Sequence, residues 1–366
     1  MTRRIIVVGG GVMGLAAAWS LARRGERPLV LERFDRGHTR GASHGETRNF
    51  NNAYSESHYL DLLARAREGW DALGEVEGEP LLRLHGLVSH GANSAAAAIG
   101  DRLVTTEARL RERGIRAELL TGADAARRWP GMRFADTVLY SPDAGVARAA
   151  AALRELERRI VAAGGEVRWN TPVTSVDDTG DTVAVSAADG VHAADVVIVA
   201  AGAWTRRLLP GIAFPSLRVT EESPAHFAPV DTATPWPSFN HFFAPGEWPS
   251  NVYGMPTPGE GVKVGFHGIG DQVDPDARPF TPVKQTELAD YVRAWMPGLD
   301  ADAAVPISCT YTSTPDEAFV LDRRGRIVVG AGFSGQGFKF APGVGAVLAD
   351  LATDDAAQAD PAFRLR

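Results

Sequence analysis

Three glycines near the start of the chain, Gly9-x-Gly11-x-x-Gly14, lie between the apolar run Ile5-Ile6-Val7-Val8 and a helical pattern from Val12 to Arg24. This spacing suits a pyrophosphate. The first glycine permits a tight turn, the second lets phosphates approach the backbone, and the third lets helix and strand pack closely. The helix N-terminus adds unpaired N–H groups and a positive dipole end. Glu32 follows eighteen residues after Gly14, closing a second apolar strand from Pro28 to Leu31. Its carboxylate there can accept from adenosine ribose hydroxyls and repels a 2′-phosphate, which argues against NADP. Strand, helix, strand and acid in register predict dinucleotide binding without separating FAD from NAD.

A second pattern, Gly330-x-Gly332-x-x-Gly335, follows Ile327-Val328-Val329. No βαβ unit with an acid comes after it, so a second dinucleotide domain and a built-in NAD(P)H site are not expected. Pro342 suits the first position of a helix to Leu351. That helix could aim its positive end at an anion such as the N1–C2=O edge of a reduced flavin; a glycine-rich packing turn is the plainer reading. Cys309 is the single cysteine, so no internal disulfide can form. In isolation it reads as a small inert hydrophobe. Histidine and cysteine are not clustered at ligand spacings, and no metal site is expected.

The elements that must position these residues are partly legible. Beyond the first βαβ unit, Gly37 to Gly45 is a Gly/His/Ser-rich loop, and helical spacing covers Tyr59 to Leu73, Ala95 to Arg113 and Ala149 to Ala163. Gly86 to Ser89 and Val196 to Val199 read as strands. Val173 to Val176 and Val183 to Ser186 flank the turn signal Asp178-Thr179-Gly180-Asp181. Between Pro210 and Pro282 lie 13 of the 23 prolines. That density excludes long helices there and predicts edge strands and shaped loops.

Length and charge bound the rest. At 366 residues the chain can bury a large core and is expected to form two domains. A net charge of −7 without a basic block excludes nucleic acid and anionic membrane as expected partners. The longest apolar run, Val196 to Trp204, is about half of a bilayer crossing. Arg3-Arg4 lacks a following cleavage pattern, so a cytoplasmic location is expected.

Several further segments carry a resemblance. They are Ser43-His44-Gly45-Glu46-Thr47-Arg48, Lys263-x-Gly265-x-His267 with Asp274-Pro275-Asp276, and Cys309-x-Tyr311-Thr312-x-Thr314-Pro315-Asp316-Glu317. The last is Gly332-Phe333-Ser334-Gly335-x-Gly337-Phe338-Lys339-Phe340. Over nearly its whole length the chain resembles the monomeric sarcosine oxidase and N-methyltryptophan oxidase family of FAD-dependent amine oxidases.

The resemblance implies an α/β fold with a Rossmann-like FAD-binding domain assembled from discontinuous segments (1–85, 147–215 and 315–366). A substrate domain with a mostly antiparallel sheet would comprise 86–146 and 216–314. FAD would be held by Gly9, Gly11, Gly14, Glu32, Thr47, Gly335, Gly337 and Lys339, and linked covalently through Cys309 at the flavin 8α-methyl group. Lys339 would bind the substrate carboxylate. Lys263 would assist oxygen reduction, since a fixed cation in a dry site stabilises developing superoxide. His44 and Arg48 would lie against the flavin, and Tyr253 and His267 would face the substrate.

One position departs from the family pattern. Asn51 stands where sarcosine oxidases place a second arginine that pairs with the substrate carboxylate. Asparagine carries no charge and cannot form the bidentate fork, a loss of about 1.5–3 kcal/mol. A larger secondary amine or a cyclic imino acid therefore fits as well as sarcosine. The implied activity is oxidation of a secondary amine (N-methyl amino acid, cyclic imino acid or related amine) to an imine, with O2 giving hydrogen peroxide, by a monomer. The alternatives are an amine dehydrogenase using another acceptor, a flavin-binding protein without turnover, and an NAD-dependent dehydrogenase.

Overall fold

A computed structural model describes residues 3–91 and 96–365, those from 96 to 101 by their backbone alone. The fully buried strand Ile5–Val8 lies inside a six-stranded sheet. Its order is Glu166–Arg168, Leu29–Leu31, Ile5–Val8, Val196–Val199, Ile327–Ala331, Val320–Arg324. Every neighbouring pair is parallel except the last. Continuous apolar runs at 5–8, 196–199 and 327–331 are what a sheet covered on both faces requires.

Helix Val12–Ala22 is buried all round. It packs against helices Ala149–Ala162 and Ala341–Thr353 as well as the sheet. Small residues make this possible. A Cβ on Gly345 would lie 2.4 Å from the Ala16 carbonyl carbon, and one on Gly343 would lie 2.6 Å from the Leu62 oxygen of helix Ser57–Leu73. The closing helix is thereby locked at its N-terminal half to two others. It starts at Ala341, one residue before Pro342, after a 3-10 turn Phe338–Phe340.

The second layer is an eight-stranded sheet of order Val305–Pro306, Ala225–Phe227, Gly261–Phe266, Val252–Thr257, Ser238–Phe242, Leu87–Gly91, Thr137–Ser141, Glu118–Thr121. Only the pair Ser238–Phe242 with Leu87–Gly91 is parallel. This corrects the expectation of edge strands in the proline-rich stretch, because four strands from that stretch are interior. Prolines 224, 229, 237, 245 and 258 fall in the connections, and Pro256, the one inside these four strands, stands next to the end of Val252–Thr257, opposite Val262. Helix Gln285–Trp295, not anticipated from the sequence, begins beyond that stretch, three residues after Pro282, and buries Leu288, Tyr291 and Val292. The helix expected from Ala95 runs Ala96–Glu112, its first predicted residue being outside the described ones.

Two small antiparallel sheets connect the layers. One pairs Thr47–Phe50 with Gly145–Arg148; the other pairs Arg218–Glu222 with Cys309–Ser313. Among the described residues no helix is long and apolar enough to cross a membrane.

The eight-stranded sheet encloses two histidines opposite each other on parallel strands, His90 and His241, their rings stacked 3.9 Å apart. The His90 Nδ1 accepts from the Ala135 N–H at 3.3 Å, and the His241 Nδ1 pairs with the Tyr291 hydroxyl at 3.1 Å. Both Nε2 atoms are buried without a partner. Burial holds His90 down to about 3 and His241 well below its usual range. Below pH 6.5 the unfolded chain takes up protons that the folded one refuses, so stability falls as pH falls toward 3. The thermal midpoint should drop between pH 7 and pH 5. In His90→Gln the pH slope of unfolding free energy should be shallower by about 1.4 kcal/mol per pH unit.

Candidate active site

The turn after Ile5–Val8 is built as the glycine pattern requires. Gly9 has φ +107°, and a Cβ there would meet the Ala200 carbonyl oxygen at 2.5 Å. Gly14 lies behind the turn, where any Cβ would strike the Gly9 carbonyl oxygen. Val12 opens the helix with its N–H donated to Ser43 Oγ at 3.0 Å, and the next amides have no intrahelical acceptor. Glu32 follows the strand Leu29–Leu31 and accepts from the Gly10 N–H at 2.6 Å and the Phe34 N–H at 3.0 Å.

From this turn a cavity of about 840 Å3 runs past Glu32 and the loop 37–46 to Cys309. A second cavity of about 430 Å3 lies beyond it, and Arg48, Cys309, Tyr311, Gly335 and Phe338 border both. Sheet geometry puts Cys309 and Tyr311 on one face of their strand. Gly335, at φ +73°, passes so close to the Tyr311 ring that a Cβ would lie 2.2 Å from it. That contact explains why glycine is needed at this point of the second glycine pattern.

Most of the expected residues converge on these cavities, on different sides. Gly9, Gly11, Glu32, His44 and Gly337 border the larger one. Asn51, Tyr253, Lys263, His267 and Lys339 border the smaller one. Thr47 borders neither: it is buried with its hydroxyl 2.7 Å from that of Thr257. Its role is to pin the strand Thr47–Phe50 to Val252–Thr257. Asn51 Oδ1 caps its own turn, accepting from the Ala53 N–H at 2.8 Å. Tyr54, Gln336 and Arg102 also border the smaller cavity and were not anticipated. No local spacing marks them, since they arrive from three separate segments.

The basic groups are held out of water. Lys339 is buried by the Tyr54 and Phe340 rings, at 5.4 and 5.0 Å, and donates only to the Gln336 carbonyl at 2.7 Å. Trp70 Nε1 anchors its backbone from helix Ser57–Leu73 at 2.8 Å. Burial brings the Lys339 ammonium down to about 7. Lys263 stands on Gly261–Phe266 opposite His226 and Met255; burial, then the Arg48 charge, brings it to about 8. His44 falls to about 4 through burial and the same arginine, with its Nε2 left unpartnered. Arg48 itself donates to the carbonyls of Thr47 at 2.9 Å, Ala42 at 3.0 Å and His44.

Tyr253 and Tyr311 face each other with hydroxyls 3.5 Å apart, and burial pushes both phenols up. The Tyr253 ring meets that of His267 edge-on. His267 is lowered by burial, opposed by Glu317 and Glu222. The arrangement presents neutral rings, a neutral imidazole and poised lysines to an anion or amine in the smaller cavity. Among the described residues no cluster of ligating side chains could hold a metal ion.

A family model described as FAD dependent oxidoreductase matches residues 4–351. The monomeric sarcosine oxidase of Bacillus sp. (strain B-0618) is 33% identical over 363 residues, covering 95% of this chain and 91% of that protein. The peroxisomal sarcosine oxidase of Homo sapiens is 35% identical over 369 residues, covering 94% and 91%. Among solved structures, the open form of NikD superposes with a TM-score of 0.86 at 28% identity. It covers 100% of this chain and 98% of that one, and is described as an unusual amino acid oxidase essential for nikkomycin biosynthesis.

The lowered lysine yields a prediction. The Lys339 ammonium is charged below about 7 and neutral above. Propionate binding, measured by titration calorimetry, should weaken as pH rises from 6 to 9, approaching tenfold per unit on the alkaline side. Lys339→Met should bind at least tenfold more weakly at pH 6, with a flattened profile.

Proposed function

The chain belongs to the FAD-dependent oxidoreductase family, and from that premise we propose that it oxidises a secondary amine to an imine with dioxygen as acceptor. The observation that carries this reading is the shared border of the two cavities, where the space of about 840 Å3 beginning at the glycine turn meets that of about 430 Å3 at Cys309 and Tyr311. FAD fits the larger space on the chain's own features. A glycine turn that no Cβ could enter, free amides at a helix start, an acid beside the second strand and the unpartnered His44 Nε2 all lie along it.

When bound, the flavin supplies the two-electron redox chemistry. Gly9, Gly11 and Gly14 would admit the pyrophosphate, and Glu32 would take the adenosine ribose. Gly335 and Gly337 would line the ring's place, with the N-terminal end of helix Ala341–Thr353 behind them. Arg48 adds positive potential on the larger cavity's side, and its dry surroundings strengthen it. His44, held neutral by burial, would offer its unpartnered Nε2 for a hydrogen bond. In the smaller cavity Lys339 would hold a substrate carboxylate. Tyr253 and His267 enclose the amine in uncharged walls, which favours the neutral amine that can be oxidised. Lys263, buried yet still mostly charged near neutrality, would stabilise the negative charge that develops as oxygen accepts electrons.

Sarcosine is the substrate named by two relatives; N-methyl amino acids and cyclic imino acids are the class proposed here. Residues 1–85, 147–215 and 315–366 would form the cofactor domain, and 86–146 with 216–314 the substrate domain. All strands of the six-stranded sheet fall in the first set and all those of the eight-stranded sheet in the second. The protein would act as a monomer, as its relatives' names suggest.

Anaerobic addition of an N-methyl amino acid or cyclic imino acid should bleach the flavin absorbance, and air should restore it with one peroxide per imine. A protein that no secondary amine bleaches is not an amine oxidase. Acid precipitation should leave yellow colour in the wild-type pellet and release it to the supernatant in Cys309→Ser; release from both would refute the tether. Lys263→Met should slow reoxidation by oxygen tenfold or more, with a much smaller effect on reduction by amine. Equal effects on the two half-reactions would remove Lys263 from the oxygen step.

A further inference from the structure

The smaller cavity has four basic residues on its walls, Arg48, Lys263, Lys339 and Arg102. Three of them are engaged or enclosed. Arg48 spends its guanidinium on backbone carbonyls, Lys339 donates to Gln336, and Lys263 is buried. Arg102 is different: it is exposed on helix Ala96–Glu112 and makes no hydrogen bond or ion pair among the described residues. Its guanidinium carbon lies over the Phe242 ring, 5.1 Å from the centroid. Stacking on a ring fixes the plane of the fork while leaving its in-plane N–H groups open.

The size of the cavity gives that fork a purpose. About 430 Å3 is in the range of pockets for drug-sized ligands, well beyond a six-heavy-atom amino acid such as sarcosine. The charged residues of the cavity come from different elements. Its carboxylates, Glu56, Asp316 and Glu317, gather around Tyr59 on the wall formed by helix Ser57–Leu73 and the segment after Cys309–Ser313. Arg102 comes to the cavity from helix Ala96–Glu112, beside Phe242 of the eight-stranded sheet. Asn51 on the same cavity carries no charge, and its oxygen is committed to the Ala53 amide.

We propose that Arg102 is a specificity-determining residue that binds a second, distal carboxylate of the substrate, so that the preferred amines are dicarboxylates. The inner carboxylate goes to Lys339, the amine lies between, and the distal carboxylate reaches the Arg102 fork. The proposal rests on the amine-oxidising reading for the word substrate, but the subsite itself is a binding property and can be tested without turnover.

The test has two arms on the flavin-loaded protein. In the binding arm, glutarate and butyrate are titrated and read by perturbation of the flavin absorbance. Glutarate should bind at least tenfold more tightly. In Arg102→Gln this ratio should fall toward one, in Arg102→Lys it should be intermediate, and in Arg102→Glu butyrate should be favoured. In the turnover arm, N-methyl-L-glutamate should exceed N-methyl-L-glutamine at least tenfold in kcat/KM, chiefly through KM, with the same loss in Arg102→Gln. A wild-type glutarate-to-butyrate ratio near one overturns the proposal, as does a ratio that Arg102→Gln leaves unmoved. If no amine bleaches the flavin while the binding ratio behaves as stated, the amine-oxidising reading fails and the dicarboxylate subsite stands. Should Arg102→Gln fail to retain flavin, the Arg102→Lys and Arg102→Glu ratios decide.

Discussion

Basic groups kept dry without a carboxylate partner are the constraint on which the site depends. His44, Lys263 and Lys339 make no ion pair with a carboxylate among the described residues, and burial is the largest cause of the lowered basicity of each. A buried cation without a counter-charge costs free energy that the rest of the fold must offset. Elsewhere the chain does supply counter-charges. Arg278 and Glu221 form a buried pair at 2.7 Å, and Glu155 takes up Arg158 and Arg159. The cavities do carry acids, Glu32 on the larger and Glu56, Asp316 and Glu317 on the smaller. None of them pairs with Lys263 or Lys339 among the described residues, so an incoming anion can complete the balance.

Holding such groups requires a frame that does not yield. Lys339 is held away from water, because Trp70 fixes its backbone and the Tyr54 and Phe340 rings lie 5.4 and 5.0 Å from its ammonium. Trp70 belongs to helix Ser57–Leu73, and that helix is clamped to the closing helix where a Cβ on Gly69 would meet Pro342 at 2.3 Å. The closing helix touches the glycine-turn helix at Gly345 and Ala16. A chain of close backbone contacts therefore runs from the fingerprint turn to the lysine in the smaller cavity. Close-packed interiors transmit strain rather than absorb it, so the two cavities keep their relation.

The parts legible in the sequence are those whose cause is local. Gly9 and Gly14 could be assigned roles because a backbone turn at φ +107° and a helix pressed on a carbonyl tolerate only glycine. Ile5–Val8 and Val196–Val199 announced a covered sheet by their unbroken apolar character. Proline density misled for an equally physical reason: it counts residues over a window, whereas most of these prolines sit between strands and Pro256 falls beside a strand end. The stacking of His90 on His241 brings together residues 151 positions apart, and no periodicity carries that information. Arg102 and Tyr54 were invisible in the same way, since a cavity wall is assembled by topology.

Arg48 shows how the resemblance and the geometry divide the explanation between them. The motif around it implies a positive charge against the cofactor. In the structure its donors go to the carbonyls of Ala42, His44 and Thr47, so the guanidinium closes the loop that forms one wall of the larger cavity. Its charge is not consumed by doing so, because neutral carbonyls leave the net positive charge in place. That charge then lowers both His44 and Lys263, one on each cavity. One side chain thus shapes the cofactor loop through hydrogen bonds and couples the two cavities through its field. The second role needs the charge, whereas the first needs the geometry of the fork, and lysine would preserve only the former.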